Sequence, residues 1–217
     1  MTRAGFDYAL ENLNEDISDM GDIVLKQIHE SIEALMNKDE ILASKVIAED
    51  DKVNEFQRDI ENRCLILLGK EQPMAIDLRT LFTAIKIVTD IERIGDHAVG
   101  IAKAVDRLKD VIYVRELRDI AKMSIMVESM LKKALDAAVT RDTQAAYSVC
   151  SLDDDVDTFF KAIVFDLLSI NAQDSNMLNQ IAQLLFVCKS LERIGDYTTN
   201  ICEGIILMVT GDYMKCQ

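Results

Sequence analysis

The chain has 217 residues, and 49% of them are hydrophobic, so it is long enough to bury one large core or two cores of about 100 residues each. Its formal net charge of −14 argues against binding to a nucleic acid backbone or to an anionic lipid surface without intervening cations. One proline, eight glycines and no tryptophan favour helices over sheets.

Neither a signal peptide nor a membrane-spanning helix is expected from the sequence. Its first residues, MTRAGFDYALENLNED, turn acidic at once, which is not the pattern of a signal peptide. No apolar run approaches the roughly 20 residues needed to cross a bilayer. We therefore predict a soluble, cytoplasmic protein.

Hydrophobic periodicity predicts long helices joined by short links. Pro73 suits the first turn of a helix, where its missing N–H group costs nothing. Asp174 or Ser175 is available as the N-cap of the last helix. In chain order the predicted helices are 5–37, 39–69, 73–109, 113–140, 143–170 and 175–210.

The six helices form an internal repeat of three. Residues 34–56 resemble residues 137–159, and residues 81–96 resemble residues 181–196 after a shorter loop in the second copy. Long helices with short connections become antiparallel neighbours in a bundle. We therefore predict an all-α fold made by tandem duplication of an antiparallel three-helix bundle, with units at residues 1–110 and 111–217.

Five cysteines show neither C-x-x-C spacing nor an even count. Cys64, Cys150 and Cys188 fall among apolar residues, so we interpret them as small core residues of a protein in a reducing compartment. A thiolate zinc site is not expected. The Met-rich stretch of Met123, Met126 and Met130 is expected to lie in the core.

The pentapeptide Glu-Arg-Ile-Gly-Asp occurs in the third helix of both units. Its two acids, Glu92 and Asp96 in the first copy, lie about 40° apart around a helix. They fall in line with an apolar stripe, where a solvated face would carry more charges. A second apolar stripe on the opposite side (Ile87, Ile94, Ile101) predicts that this helix is largely enclosed. In the second copy the same acids are Glu192 and Asp196.

The second helix of each unit carries a matching polar pair. In the second unit this pair is Asp153 and Asp157, again four residues apart and in line with apolar residues. In the first unit it is Asp50 and Asn54. The second unit thus has an acidic pair on each of two helices, and the first unit has one complete pair and one weakened pair.

Carboxylates that face each other in a bundle are costly unless a proton or a cation accompanies them. Facing helices often hold metal ions in this way, and oxygen-only ligands favour Mg²⁺, Mn²⁺ or Ca²⁺, with iron also suitable and zinc less so. Gly95 and Gly195 then mark places where another backbone or a ligand shell comes close. Alternatively, Arg93 and Arg193 neutralise these acids in a structural salt-bridge network. His97, replaced by Tyr197 in the second unit, is incidental or at most an extra ligand.

These features resemble the PhoU family over nearly the whole chain. The resemblance rests on the doubled three-helix unit, the L/I-E-R-I-G-D motif, the upstream D-x-x-V-N/D and the segment EQPMAIDLR. It implies a cytoplasmic, usually dimeric regulator without catalysis. Such a regulator acts with a Pst-type phosphate ABC transporter and its sensor histidine kinase, and restrains the phosphate-starvation response.

The resemblance also implies bound metal. The E/D-x-x-x-D motifs of that family bind multinuclear clusters of divalent or trivalent ions, and Fe, Mn, Mg, Zn and Ca are not distinguishable here. The implied ligands are Glu92, Asp96, Asp153, Asp157, Glu192 and Asp196, with Asp50 and Asn54 at the fourth position.

Two other functions remain open from the residues alone. The first is a metal-dependent hydrolase or oxidase on the same bundle, although the chain lacks the Glu-x-x-His pairs of di-iron bundles and a phosphate-binding glycine loop. The second is a purely structural helical adaptor, whose stability would not depend on metal ions.

Overall fold

The protein, described here by a computed structural model, is resolved in detail over residues 3–71 and 74–216, and these ranges contain six α-helices and no strand. The all-α prediction is therefore confirmed, and each helix lies where the periodicity placed it, with shifts at the ends. Pro73 lies outside the described residues. The helices are α1 (Arg3–Asn37), α2 (Glu40–Glu71), α3 (Ala75–Leu108), α4 (Arg118–Thr140), α5 (Thr143–Leu168) and α6 (Ser175–Thr210).

The same tight turn joins the first two helices of each half. Lys38 and Arg141 occupy the left-handed region, with φ of 55° and 54°. The next residue in each case is an aspartate that caps the following helix. The carboxylate of Asp39 accepts hydrogen bonds from two N–H groups of the first turn of α2, both at 2.9 Å. Asp142 does the same for α5, so the duplicated sequence has kept the duplicated turn.

The predicted start of α4 at residue 113 is wrong, because α4 begins at Arg118. The residues before it form an irregular link, and tertiary hydrogen bonds bind several of its polar groups. The Tyr113 hydroxyl donates to a carbonyl at the end of α1 at 2.6 Å. The buried amide of Gln180 donates to the carbonyl of Ile112 at 3.1 Å and accepts from the N–H of Val114. These tertiary hydrogen bonds hold the backbone out of the helix. By contrast, the cap predicted for α6 is confirmed, since Asp174 accepts from an N–H of the first turn at 2.8 Å.

The third helix of each half lies at the centre of the molecule. Helix α3 packs against α1, α2 and α6, and α6 packs against α4, α5 and α3. The two run antiparallel, since Arg107 near the end of α3 donates to Gln183 near the start of α6 at 3.0 Å. Midway along, the rings of His97 and Tyr197 lie 5.8 Å apart. The stripe of Ile87, Ile94 and Ile101 is 0–4% exposed, which confirms that α3 is largely enclosed.

The core also confirms two side-chain predictions. Met123 and Met130 are 0% and 1% exposed, and Met126 packs against the same core. Cys64 and Cys188 are buried free thiols, as predicted, and burial raises the pKa of these thiols to about 11 and about 12. Within the described ranges, no helix combines the length and apolar character that a bilayer span requires.

The prediction for Cys150 is wrong in one respect, because this buried residue forms a disulfide with Cys216. The two are separated by 66 residues, and the bond ties the segment after α6 to α5. The backbone N–H of Cys216 also donates to the carboxylate of Glu203 at 2.8 Å. The pairing depends on where this segment lies, which no local sequence pattern specifies.

The disulfide predicts a specific thiol count. Protein denatured without reductant should show three reactive thiols with Ellman's reagent, because Cys64, Cys188 and Cys202 are free. After full reduction it should show all five. A count of five before reduction would show that Cys150 and Cys216 are not paired in the purified protein.

Candidate metal centre

The four acids of the repeated pentapeptide lie on the central helices at the edge of the core. The side chains of Glu92 and Glu192 are 18% and 12% exposed, whereas those of Asp96 and Asp196 are 50% and 37% exposed. Each glutamate therefore lies at the inner side of its pair and each aspartate at the outer side. This follows from their common apolar stripe, which continues into the buried face of each helix.

The eight residues predicted as metal ligands fall into two sets, each on two neighbouring helices. The first cluster consists of Asp50 and Asn54 on α2 with Glu92 and Asp96 on α3. Within it, the Asn54 amide lies 3.4 Å from a carboxylate oxygen of Asp50. The second cluster consists of Asp153, Asp157, Glu192 and Asp196, on α5 and α6.

Two glycines allow the second helix of each half to approach the third. If Gly195 carried a Cβ, this atom would lie 2.9 Å from a carboxylate oxygen of Asp153, closer than real Cβ contacts come. At Gly95 the corresponding distance to Asp50 is 3.5 Å. The sequence predicted that another backbone or a ligand shell comes close at both glycines. The groups that come close are side chains, namely the carboxylate of Asp153 at Gly195, and the amide oxygen of Gln27 and the carboxylate of Asp50 at Gly95.

Burial and crowding of like charges raise the pKa of several of these acids. Asp153 is affected most, because burial and then the charges of Asp196, Asp157 and Glu192 raise its pKa to about 6. Burial and the neighbouring carboxylates Glu192 and Asp157 likewise raise the pKa of Asp196, although Arg193 and Lys189 oppose the shift. The basic side chains near the second cluster therefore offset its negative charge only in part.

The first cluster shows the same effect. Burial raises the pKa of Asp50, and the charge of Asp96 adds to the shift. Burial and the charge of Asp96 also raise the pKa of Glu92. Carboxylates on α2 and α3 thus lie near enough to repel one another, as a shared cation site requires.

Basic side chains pair with part of this charge. Arg93 lies 3.5 Å from Glu92 and 3.6 Å from Asp96 in the first cluster. In the second cluster Arg193 lies 3.1 Å from Asp196, and Lys161 and Lys189 pair with Asp157 and Glu192. Salt bridges of this kind were the alternative interpretation of the motif, and they are present. They leave the pKa values of Asp50, Glu92, Asp153 and Asp196 raised.

The donor atoms fit a hard cation by their chemistry, since the charged donors are all carboxylate oxygens. Across residues 3–71 and 74–216, however, no three His, Cys, Asp or Glu side chains are already grouped closely enough to hold a metal ion. Five of the carboxylates are paired with Arg or Lys side chains instead, namely those of Glu92, Asp96, Asp157, Glu192 and Asp196. A cation would therefore have to displace these basic partners, and the clusters remain predicted metal sites.

Three residues near the clusters were not predicted from the sequence. Lys161 follows its partner Asp157 by four positions, and Lys189 precedes its partner Glu192 by three. Both are standard spacings for ion pairs on a helix. Gln27 on α1 is 1% exposed and lies against the first cluster. The sequence feature that could have pointed to Gln27 is its position as a polar residue on the apolar stripe of α1.

The raised pKa of Asp153 predicts how stability depends on pH without metal. Between about pH 4 and 6 the folded protein holds a proton on this carboxyl that the unfolded chain has lost. The contribution of Asp153 to the free energy of unfolding therefore falls as pH rises through this window. The urea midpoint in EDTA should accordingly fall more steeply for the wild type than for Asp153→Asn.

Asp155→Asn is a matched control, because Asp155 is an exposed acid on the same helix. This variant should keep the wild-type slope. If Asp153→Asn keeps it as well, Asp153 does not titrate in this range.

Comparison with known proteins agrees with the sequence motifs. The PhoU domain family model matches residues 17–105 and again residues 120–205. A protein of Clostridium acetobutylicum, the "Phosphate-specific transport system accessory protein PhoU homolog", is 47% identical over 212 residues, covering 97% of each chain.

Two crystal structures have the same fold. The phosphate transport system regulatory protein PhoU from Streptococcus pneumoniae is 30% identical, with a TM-score of 0.90 over 97% of this chain and 99% of that one. PhoU from Pseudomonas aeruginosa is 33% identical, with a TM-score of 0.91 over 95% of this chain and all of that one.

Proposed function

The chain belongs to the PhoU family, and we propose that it is a non-enzymatic, metal-binding regulator of phosphate uptake. In this proposal it is a cytoplasmic homodimer that acts with a Pst-type ABC transporter and its sensor histidine kinase. Its effect is negative, so that it restrains the phosphate-starvation response when phosphate is abundant.

The match of the PhoU family model to both halves of the chain is the main support for this proposal. The Clostridium acetobutylicum relative is called a phosphate-specific transport system accessory protein, and the Streptococcus pneumoniae protein a phosphate transport system regulatory protein. Both names describe regulation or assistance of a transporter, which supports a role without catalysis.

The two clusters supply the metal-binding part of the proposal. A bound divalent or trivalent cation would supply positive charge between the second and third helix of each half. Glu92 and Asp96 would hold it from α3 and Asp50 from α2, with Asn54 as a neutral oxygen donor. In the other half Asp153, Asp157, Glu192 and Asp196 would hold it with four carboxylates. The raised pKa values of Asp50 and Asp153 support this role, because burial and then repulsion between carboxylates raise them, and a cation would offset both.

Elemental analysis tests the metal. Protein purified without chelator should contain metal ions that remain after desalting, and the double variant Glu92→Gln/Glu192→Gln should contain less. As a matched control, Glu55→Gln/Asp155→Asn removes two exposed acids outside the clusters and should keep the wild-type content. Equal metal content in all three proteins would disprove the ligand assignment.

The partners are tested with defined components. The purified ATPase subunit of the phosphate transporter from the same cells should bind this protein in size-exclusion chromatography. Deletion of the gene should switch on phosphate-starvation genes in phosphate-rich medium. Normal repression in the deletion strain would contradict the proposed negative role. Light scattering of the same column fractions gives the oligomeric state, for which we expect a dimer.

A further inference from the structure

A buried glutamine on α1 lies beside the first cluster. Gln27 is 1% exposed, and neither its amide nitrogen nor its amide oxygen forms a well-aligned hydrogen bond among the described residues, although the amide lies near enough to the Asp50 carboxylate to favour its ionised form. A buried polar group without partners destabilises a fold, so native proteins rarely leave one unexplained. An apolar side chain of similar size would serve the core better.

The amide of Gln27 is directed at the first cluster. Its oxygen lies 3.3 Å from the point that a Cβ on Gly95 would occupy, and a carboxylate oxygen of Asp50 lies 3.5 Å from the same point. Gly95 stands between Glu92 and Asp96 in the sequence. An amide from α1 and a carboxylate from α2 therefore converge over α3 beside the two acids of the motif. The amide also faces Asp50 closely enough to oppose the rise in the pKa of that carboxyl.

The second half of the protein has no such amide. The repeat places Met130 of α4 at the position of Gln27, and Met130 is likewise 1% exposed. Over Gly195 the neighbouring atoms are the carboxylate of Asp153 and a methyl group of Val156. The two clusters therefore differ in chemistry. The first has the amides of Gln27 and Asn54, and at the equivalent positions the second has the thioether of Met130 and the carboxylate of Asp157.

We propose that Gln27 is a cation ligand of the first cluster, binding through its amide oxygen. This rests on the proposed metal-binding function and extends it to α1. Neutral amide oxygens are ordinary ligands for hard cations such as Ca²⁺ and, with carboxylates, suit Mn²⁺ as well. The first cluster then joins all three helices of its half through one cation. The second cluster joins only α5 and α6, because Met130 offers no oxygen.

The test isolates the first cluster and measures Mn²⁺ alone. In a background with Asp153→Asn, Glu192→Gln and Asp196→Asn, isothermal titration calorimetry should detect binding at the first cluster. Adding Gln27→Met, which copies the residue found in the second half, should weaken this binding about tenfold or more. The reciprocal change Met130→Gln, made in the same background, should leave it unchanged.

A second variant keeps the inference testable if Gln27→Met folds poorly. Gln27→Glu retains an oxygen donor and adds charge, so Mn²⁺ should bind as tightly as before or more tightly. Unchanged Mn²⁺ affinity in folded Gln27→Met, or weaker Mn²⁺ affinity in Gln27→Glu, would overturn the proposed role of Gln27. The proposed metal function of the first cluster would still stand. If the background protein with Gln27 intact binds no Mn²⁺, the proposed metal function of the first cluster fails, and this inference fails with it.

Discussion

Saturating Mn²⁺ is expected to raise the melting temperature of the metal-free protein by about 5–10 °C for each cluster that it fills. A ligand that binds only the folded state at about 100 times its dissociation constant stabilises that state by about 2.7 kcal/mol. For a chain of this length, about 1 kcal/mol corresponds to about 2–4 °C. The folded protein gathers the carboxylates of each cluster and the unfolded chain disperses them, so the cation should bind the folded state selectively.

Asp153→Asn should separate the contributions of the two clusters to this rise in melting temperature. Without metal its melting temperature should exceed that of the wild type at pH 7, because the variant removes the most strongly crowded carboxylate. With Mn²⁺ its rise should be about half that of the wild type, since one of two clusters has lost a charged ligand. Differential scanning calorimetry in EDTA and in Mn²⁺ measures both effects.

Asp155→Asn provides the control for charge, since it removes an exposed acid of the same helix. It should show the full rise with Mn²⁺. An equal rise in Asp153→Asn and Asp155→Asn would show that Mn²⁺ binds elsewhere. No rise in the wild type would favour the structural interpretation, in which Arg93 and Arg193 suffice to hold the acids in place.

The helices could be predicted from the sequence because their determinants are local. The period of apolar residues places each helix, and Asp174 caps α6 through a hydrogen bond only three residues along the chain. The start of α4 could not be predicted in this way. Gln180, distant in sequence, binds the backbone at Ile112 and Val114 and keeps this segment out of the helix.

The carboxylates of the candidate site could likewise be predicted, because four-residue spacing places two acids on one face of a helix. The ion pairs of Lys161 and Lys189 follow the same local rule. The approach of Gln27 to Gly95 could not be derived, since it depends on how α1 packs across α3. The bond between Cys150 and Cys216 depends in the same way on the path of the chain after α6.

Gly195→Ala is expected to change metal binding and metal-free stability in opposite directions. The new methyl group would lie 2.9 Å from a carboxylate oxygen of Asp153, so that this side chain must turn away. The displaced group is the end of a flexible side chain, and its movement also relieves repulsion within the second cluster. Alanine in a helix interior is favoured over glycine by about 0.5–1 kcal/mol. The metal-free variant should therefore be more stable than the wild type by about that amount.

The same displacement should weaken Mn²⁺ binding at the second cluster about tenfold or more, which is the usual cost of disturbing the surroundings of a metal ligand. Urea unfolding in EDTA and calorimetric titration with Mn²⁺ measure the two effects on the same protein.

Gly69→Ala is the matched control, because Gly69 is a glycine of α2 whose added Cβ would meet nothing within 4 Å. This variant should gain stability through helix propensity and keep the wild-type affinity for Mn²⁺. The loss of Mn²⁺ affinity in Gly95→Ala should lie between those of Gly195→Ala and Gly69→Ala. The nearest contact of its added Cβ would be with the amide oxygen of Gln27, at 3.3 Å. If Gly195→Ala and Gly69→Ala bind Mn²⁺ equally well, the position of Asp153 over Gly195 does not matter for the cation. If Gly195→Ala loses both stability and affinity, the methyl group disturbs the packing of α5 on α6, and crowding of carboxylates is not what the glycine accommodates.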